Sequence, residues 1–338
     1  MLKSKILLLF TNHRVAEKLW PIIPRLADEY EIDLFCVGLF SLHTPWIGDI
    51  DERIIAINKY KQYFSNIIQG PGIKFHGDKI QQSLLDFINL NSYKFVIYDD
   101  NREMQEFKIP DFYNECKHRN IKVIGNVHGN EDVTIDASGI SYDFKLEFHN
   151  GGIPANDTLA NVVVQPSHIL VITNYLGNRE SIFPINFDQH FVYESGILEL
   201  SKHFNLPIKV KIKTRLDRPD FINDISYVNN LLDCEVITNS ENIDNVIANS
   251  AVVISAPSTL SFKSIQLGIP TVLIKGCGQI GKFDSYAGLV DLSKQQIFDS
   301  IQHQIDCGKF NEYIQNTIAG GLEFNSSQKY VNYIKTML

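Results

Sequence analysis

Two hydrophobic periods take turns along this chain. Residues 6–10 form a short unbroken apolar run, as in a strand covered on both faces, and 15–29 then follow the 3.6-residue spacing of an amphipathic helix. Residues 31–37 predict a second strand. From 41 to 77 the pattern breaks down around Pro45, Trp46, Gly48, Pro71 and Gly72, and this stretch reads as irregular. Periodicity returns with a helix over 79–90, a strand over 95–98, a helix over 110–119 and a strand over 122–125. Alternation of this kind predicts a parallel sheet wrapped by helices.

Between 136 and 167 the alternation lapses, and Gln165-Pro-Ser167 introduces a fresh strand over 168–173. The domain boundary belongs near 155–166. This gives a first domain over 1–160 and a second over 161–338, whose last helix is a candidate to cross back to the first. The second half repeats the pattern: a loop over 174–188, a helix over 189–204, a strand over 208–212, a helix around 227–232, a strand over 235–238 and a helix over 243–248. Then come the β-branched run Val252 to Ile254, the small-residue loop Ser255-Ala-Pro-Ser-Thr259 and a helix from Leu260. Gly268 ends that helix, Pro270 stops it resuming, and a strand follows over 271–274. Residues 295–338 read as helical, interrupted at Gly320-Gly321. The expectation is α/β: two doubly wound, Rossmann-like domains facing across a cleft. Ligands in such sheets sit beyond the carboxyl ends of the strands, so chemistry is expected in the loops that follow strands.

Bulk properties narrow this picture. At 338 residues the chain exceeds the comfortable size of one hydrophobic core. A net charge of −8 argues against nonspecific binding to nucleic acid. The five cysteines (Cys36, Cys116, Cys234, Cys277, Cys307) are odd in number and hold no CxxC pair. That pattern suggests reduced thiols in the cytoplasm and no zinc site. The first ten residues have a basic start and an apolar run of about five residues, shorter than a signal-peptide core and without a small-residue cleavage site. They fit a first buried strand better. No apolar stretch approaches the roughly 18 residues needed to span a bilayer. A peripheral attachment to membrane lipids stays open.

Several strand-following loops carry candidate chemistry. After the first strand, Thr11 or Asn12 is placed to cap the next helix, and His13 and Arg14 to face the cleft. Asp99 and Asp100 follow the third strand; structural capping is one reading, and a carboxylate meeting a sugar hydroxyl is the other. The loop after 125 gathers His128, Glu131 and Asp132 around Gly129, so any of the three is a candidate general base; a polar turn is the plain alternative. In the second half, Lys213, Arg215 and Arg218 form a cationic cluster suited to a diphosphate or a carboxylated sugar; a solvated surface cluster is the plain alternative. Thr238 and Ser240 are placed for a base or ribose, and Glu194 for a ribose hydroxyl. The mouth of the helix after Ser255, Pro257, Ser258 and Thr259 offers backbone donors and a partial positive charge to a phosphate. Gly276-Cys-Gly-Gln-Ile-Gly281 matches a dinucleotide fingerprint only formally, because no helix pattern follows at once.

With these loops in place the chain resembles the GT-B glycosyltransferases that build bacterial surface polysaccharides such as capsule and lipopolysaccharide. The resemblance is strongest over 204–290. The basic loop Lys211 to Arg215 is similar to a Lys-Pro-His-Pro-type segment, with Thr214 and Arg215 in place of Pro-His. Residues 247–259, Ile-Ala-Asn-Ser-Ala-Val-Val-Ile-Ser-Ala-Pro-Ser-Thr, resemble the Ser-Pro-Ser-Thr-type loop and are followed by Gly-Ile-Pro-Thr-Val. Similar segments occur in polyol-phosphate transferases and in non-hydrolysing UDP-N-acetylglucosamine 2-epimerases. The first half matches in layout, with His128-Gly129 similar to a His-Gly loop of the polyol-phosphate transferases. No Thr-Glu-Arg-Pro-Glu segment follows 271–274, where the epimerases would have it.

The resemblance implies donor phosphates near Ser255, Ser258 and Thr259, an acceptor site built mainly by the first half, and no cofactor or obligatory metal. The expected activity is transfer of a sugar from a UDP- or CMP-linked donor to a glycan or lipid-linked glycan, with inversion. A 2-epimerase or polyol-phosphate transferase on the same scaffold is the alternative. A third reading is a catalytically inactive module that binds glycan or nucleotide.

Overall fold

The computed structural model describes residues 3–11, 13–37, 49–70, 77–90, 92–99, 110–126, 143–146, 152–173, 196–212, 225–226, 228–230, 232–237, 242–256, 258–274, 289–290, 294–307 and 323–338. The chain divides into two compact units, 1–157 with 324–338, and 158–323.

The first unit is built on six strands: β1 (Ser4–Phe10), β2 (Tyr30–Cys36), β3 (Phe64–Gln69), β4 (Tyr93–Tyr98), β5 (Lys122–Asn126) and β6 (Phe144–Leu146). They lie in the order β3-β2-β1-β4-β5-β6, and every neighbouring pair is parallel. β1 and β4 are buried almost throughout because helices cover both faces, which is why they read as unbroken apolar runs. On one face Leu7, Leu9, Val96 and Val123 pack against Leu84, Ile88, Phe112 and Cys116. On the other, Trp20 lies 4.8 Å from Phe10 and 5.7 Å from Tyr60 between ring centroids.

The second unit repeats the plan with β7 (His168–Ile172), β8 (Ile208–Lys211), β9 (Cys234–Ile237), β10 (Ser250–Ser255), β11 (Thr271–Ile274) and β12 (Leu289–Val290). Their order is β12-β11-β10-β7-β8-β9, again all parallel. Counted from its own first strand, each sheet has the doubly wound order 3-2-1-4-5-6.

Three expectations are corrected. The helix expected over 15–29 is split into His13–Leu19, a 3-10 turn Trp20–Ile22 and Ile23–Ala27. Pro21 and Pro24 each remove an N–H and start a new turn. The stretch over 41–77 is not wholly irregular: it contains the helix Asp49–Tyr60 and β3. Ile55 of that helix is 64% exposed, so apolar residues occupy its solvent side and blur the period. β3 is an edge strand with mostly exposed positions, and its sequence lacks a buried strand's apolar run. Finally, β6 lies inside the stretch where alternation lapses.

The C-terminal helix Ser326–Met337 belongs to the first unit. It buries Tyr330, Val331 and Ile334, and Lys335 pairs with Glu29. The Asp157 carboxylate accepts from the Ser326 and Ser327 N–H groups, both at 2.8 Å, and so caps the helix.

Candidate functional site

In a doubly wound sheet the crevice opens where successive strands start to run in opposite directions across the sheet. In the second unit that point lies between β7 and β10, which pair directly. β10 ends at Ser255, and Ala256 donates its N–H to Ile172 at 2.9 Å, holding the exit of β10 beside that of β7. Ser258 then caps the helix Thr259–Gln266 from an extended conformation, with φ −149° and ψ 149°. Its hydroxyl accepts from the Leu260 N–H at 3.3 Å, and its carbonyl accepts from the Ser261 N–H at 3.1 Å. The helix mouth therefore opens at the switch point, with its dipole directed there.

A chain of hydroxyls backs this mouth. Ser261 donates its hydroxyl to the Ser258 carbonyl, Ser264 donates to the Ser261 carbonyl at 2.8 Å, and Thr271 donates to Ser264 Oγ at 2.7 Å. Ser261, Ser264 and Thr271 are fully buried. Gln304 closes the chain with two bonds to the Thr271 backbone, at 2.8 and 2.9 Å. Gly268 takes φ +75° to end the helix, and the Ile269 N–H returns to the Ser264 carbonyl at 2.9 Å.

Ser255 departs from its expected role. It is fully buried and donates its hydroxyl to the Ala256 carbonyl, so its side chain braces the turn and does not open toward a phosphate. Ser258 is half-buried at the mouth, and Thr259 is the first helical residue. Lys213 and Thr238 lie just beyond the described ends of their strands, two residues past β8 and one past β9. Lys213, Arg215, Thr238, Ser240, Pro257 and Glu194 lie outside the described residues, as do His128, Glu131, Asp132 and Asp100. His13 and Arg14 form the first turn of the His13–Leu19 helix; their side chains, like that of Thr259, are outside the description.

The corresponding point of the first unit lies between β1 and β4. There Asp99 is fully buried, and its two carboxylate oxygens accept from the Thr11 N–H at 3.0 and 2.9 Å and from the Thr11 hydroxyl at 2.7 Å. Asn126, the last residue of β5, donates its side-chain amide to the Asp99 carbonyl at 2.9 Å. Thr11 donates its hydroxyl to Asp99, and Asn12, the other residue expected to cap the helix, lies outside the described residues. Asp99 is structural and joins strand ends. Burial, with Asp99's charge adding and Arg53 opposing, pushes the Cys36 thiol up to about 12. Burial likewise pushes Cys116 to about 12 and Cys234 to about 11, so these three present no thiolate near neutral pH.

Among the described residues no group of three His, Cys, Asp or Glu side chains is placed to hold a metal ion. No described helix is long and apolar enough to cross a membrane.

Solved structures align with this chain over nearly its whole length. The UDP-GlcNAc 2-epimerase of Neisseria meningitidis, solved bound to UDP-GlcNAc, matches with a TM-score of 0.58 and 13% identity, over 98% of this chain and 100% of that one. The Methanocaldococcus jannaschii UDP-GlcNAc 2-epimerase gives 0.60 and 10%, over 99% and 100%. MurG of Acinetobacter baumannii gives 0.53 and 11%, over 99% and 100%. The chain has the GT-B fold. No protein-family model and no curated protein matches the sequence. At these identities the likeness speaks to the GT-B fold alone, and the chemistry must be argued from the residues.

Proposed function

We propose that this GT-B protein is a glycosyltransferase that moves a sugar from a nucleotide-sugar donor, UDP- or CMP-linked, to a glycan or lipid-linked glycan acceptor. The observation that carries the reading is the capped helix mouth at the switch point between β7 and β10, where a doubly wound sheet takes its ligand. In this reading the second unit holds the donor. Ser258 and Thr259 meet the diphosphate, Lys213 and Arg215 balance its charge, and Thr238, Ser240 and Glu194 lie toward the nucleoside. The first unit holds the acceptor near His13, Arg14 and Asp100.

The reaction is one in-line displacement. A base among His128, Glu131 and Asp132 takes the acceptor hydroxyl's proton, and that oxygen bonds to the anomeric carbon. The bond from that carbon to the diphosphate breaks, its electron pair leaves on the phosphate oxygen, and the anomeric configuration inverts. Cations and helix dipole stabilise the departing diphosphate, so no metal is obligatory. The setting is the cytoplasm, in assembly of a bacterial surface polysaccharide, with the acceptor reached at the inner membrane face.

A second reading, nucleotide-sugar 2-epimerase, draws support from the whole-chain likeness to the two epimerases above. Incubation with UDP-, CMP- and GDP-sugars, followed by NMR, separates the two. Transfer predicts nucleotide release that rises with acceptor, survives EDTA and falls at least tenfold in Arg215→Ala. A C2 epimer formed without acceptor selects the epimerase. Tight nucleotide binding with no turnover of any sugar would leave only a binding module.

A further inference from the structure

We propose that Asp99 is a positioning residue that fixes the roots of both acceptor-side segments at the ligand edge of the first unit. The role rests on the transferase reading and adds to it a residue that touches neither substrate. Three adjacent strands, β1, β4 and β5, end beside Asp99: its carboxylate holds Thr11 just past β1, and its backbone carbonyl holds Asn126 at the end of β5. Its side chain takes both donors of Thr11, the last residue but one before the His13–Leu19 helix. Its own N–H is given to the Leu9 carbonyl at 3.2 Å, and its carbonyl holds the amide of Asn126. Asn126 stands two positions before His128 in sequence. One residue thus anchors the start of the segment with His13 and Arg14 and the start of the segment with the candidate bases.

Asp99, Thr11 and Asn126 are all nearly or fully buried, and both oxygens of the carboxylate are engaged, so Asp99 is not itself the base. A carboxylate accepting several hydrogen bonds holds its partners more firmly than a neutral group does. Loosening the carboxylate frees Thr11 to shift relative to Asn126, which stays on the Asp99 backbone carbonyl, and in-line attack is intolerant of shifts near 1 Å.

The test compares wild type, Asp99→Asn, Thr11→Val and the double variant on the donor found by the sugar-nucleotide screen. Thr11→Val keeps the backbone bond and volume and removes only the hydroxyl. Asp99→Asn is expected to lower kcat by about 10- to 100-fold, with donor KM and calorimetric UDP affinity within about twofold of wild type. Thr11→Val should lower kcat less, and the double variant should be no worse than Asp99→Asn. Wild-type kcat in Asp99→Asn overturns the role, as does a kcat loss matched by an equal loss of UDP affinity. If Asp99→Asn does not fold, Thr11→Val decides, and an unchanged kcat in it overturns the role. A wild-type protein that consumes none of the UDP-, CMP- or GDP-sugars removes the transferase reading, and this role falls with it.

Discussion

His168, at the start of β7, shows how much one buried side chain can say. Its Nε2 lies 3.2 Å from Ser250 Oγ and its Nδ1 lies 3.0 Å from Ser167 Oγ. Ser250 gives its own proton to the Val246 carbonyl at 2.9 Å, so its oxygen must accept from Nε2–H. The Ser167 hydroxyl lies within reach of both Nδ1 and the Asn249 carbonyl, at 3.0 and 3.2 Å, and in the neutral ring its proton turns to Nδ1. Burial, helped by Lys209, lowers the ring's pKa from 6.5 to about 4. The folded state therefore binds fewer protons than the unfolded chain between those values. Stability is complete above pH 6.5 and falls as the pH drops through this window, by up to about 3 kcal/mol below pH 4. Urea midpoints from pH 7.5 to 4.5 should drop more steeply for wild type than for His168→Gln. Parallel slopes would reject the assignment.

At the scale of elements, the C-terminal helix offers a test of capping. Asp157 meets the N–H groups of Ser326 and Ser327 across 169 and 170 residues of sequence. Asp157→Ala should cost about 1–2 kcal/mol, and Asp157→Asn, which keeps an acceptor, about half of that. Hydrogen exchange should speed up first in Ser326–Met337, before β1, and equal acceleration in both would show that Asp157 acts elsewhere. The elements most legible in sequence were those with one buried stripe or a double-sided apolar run. The helix Ile243–Ala248 and the strand Thr271–Ile274 match their expected ranges. β3 was not legible, because an edge strand needs few apolar residues and its end is shaped by a neighbour. A Cβ on Gly70, just past β3, would come within 2.5 Å of the Phe35 ring, a constraint that no local pattern reveals. The helix mouth beside Ser258 was legible from the helix that follows it. The bracing role of Ser255 was not, since alternation does not say which hydroxyls face the interior.

At the scale of the molecule, alternation along the chain predicts parallel sheets but not which strands adjoin. That both units share one strand order, with switch points at β1/β4 and β7/β10, emerges only from the pairing. The Asp99–Thr11 clamp spans 88 residues and is likewise invisible to local pattern. The repeated order raises the question of which switch point takes the nucleotide. In the first unit the Thr11 N–H is already held by the chain's own carboxylate, whose charge repels a phosphate. In the second unit the residue just past β10 is Ala256, and a capped helix mouth follows. The proposed function then predicts unequal stabilisation. Free UDP at 100 times its Kd should stabilise the unit that binds it by about 2.7 kcal/mol. Hydrogen exchange should slow in β7 and β10 and stay unchanged in β1 and β4. Ser258→Ala combined with Thr259→Ala should weaken UDP binding and reduce the slowing in step. Protection appearing first in β1 and β4 would instead move the nucleotide to the first unit and reverse the assigned roles.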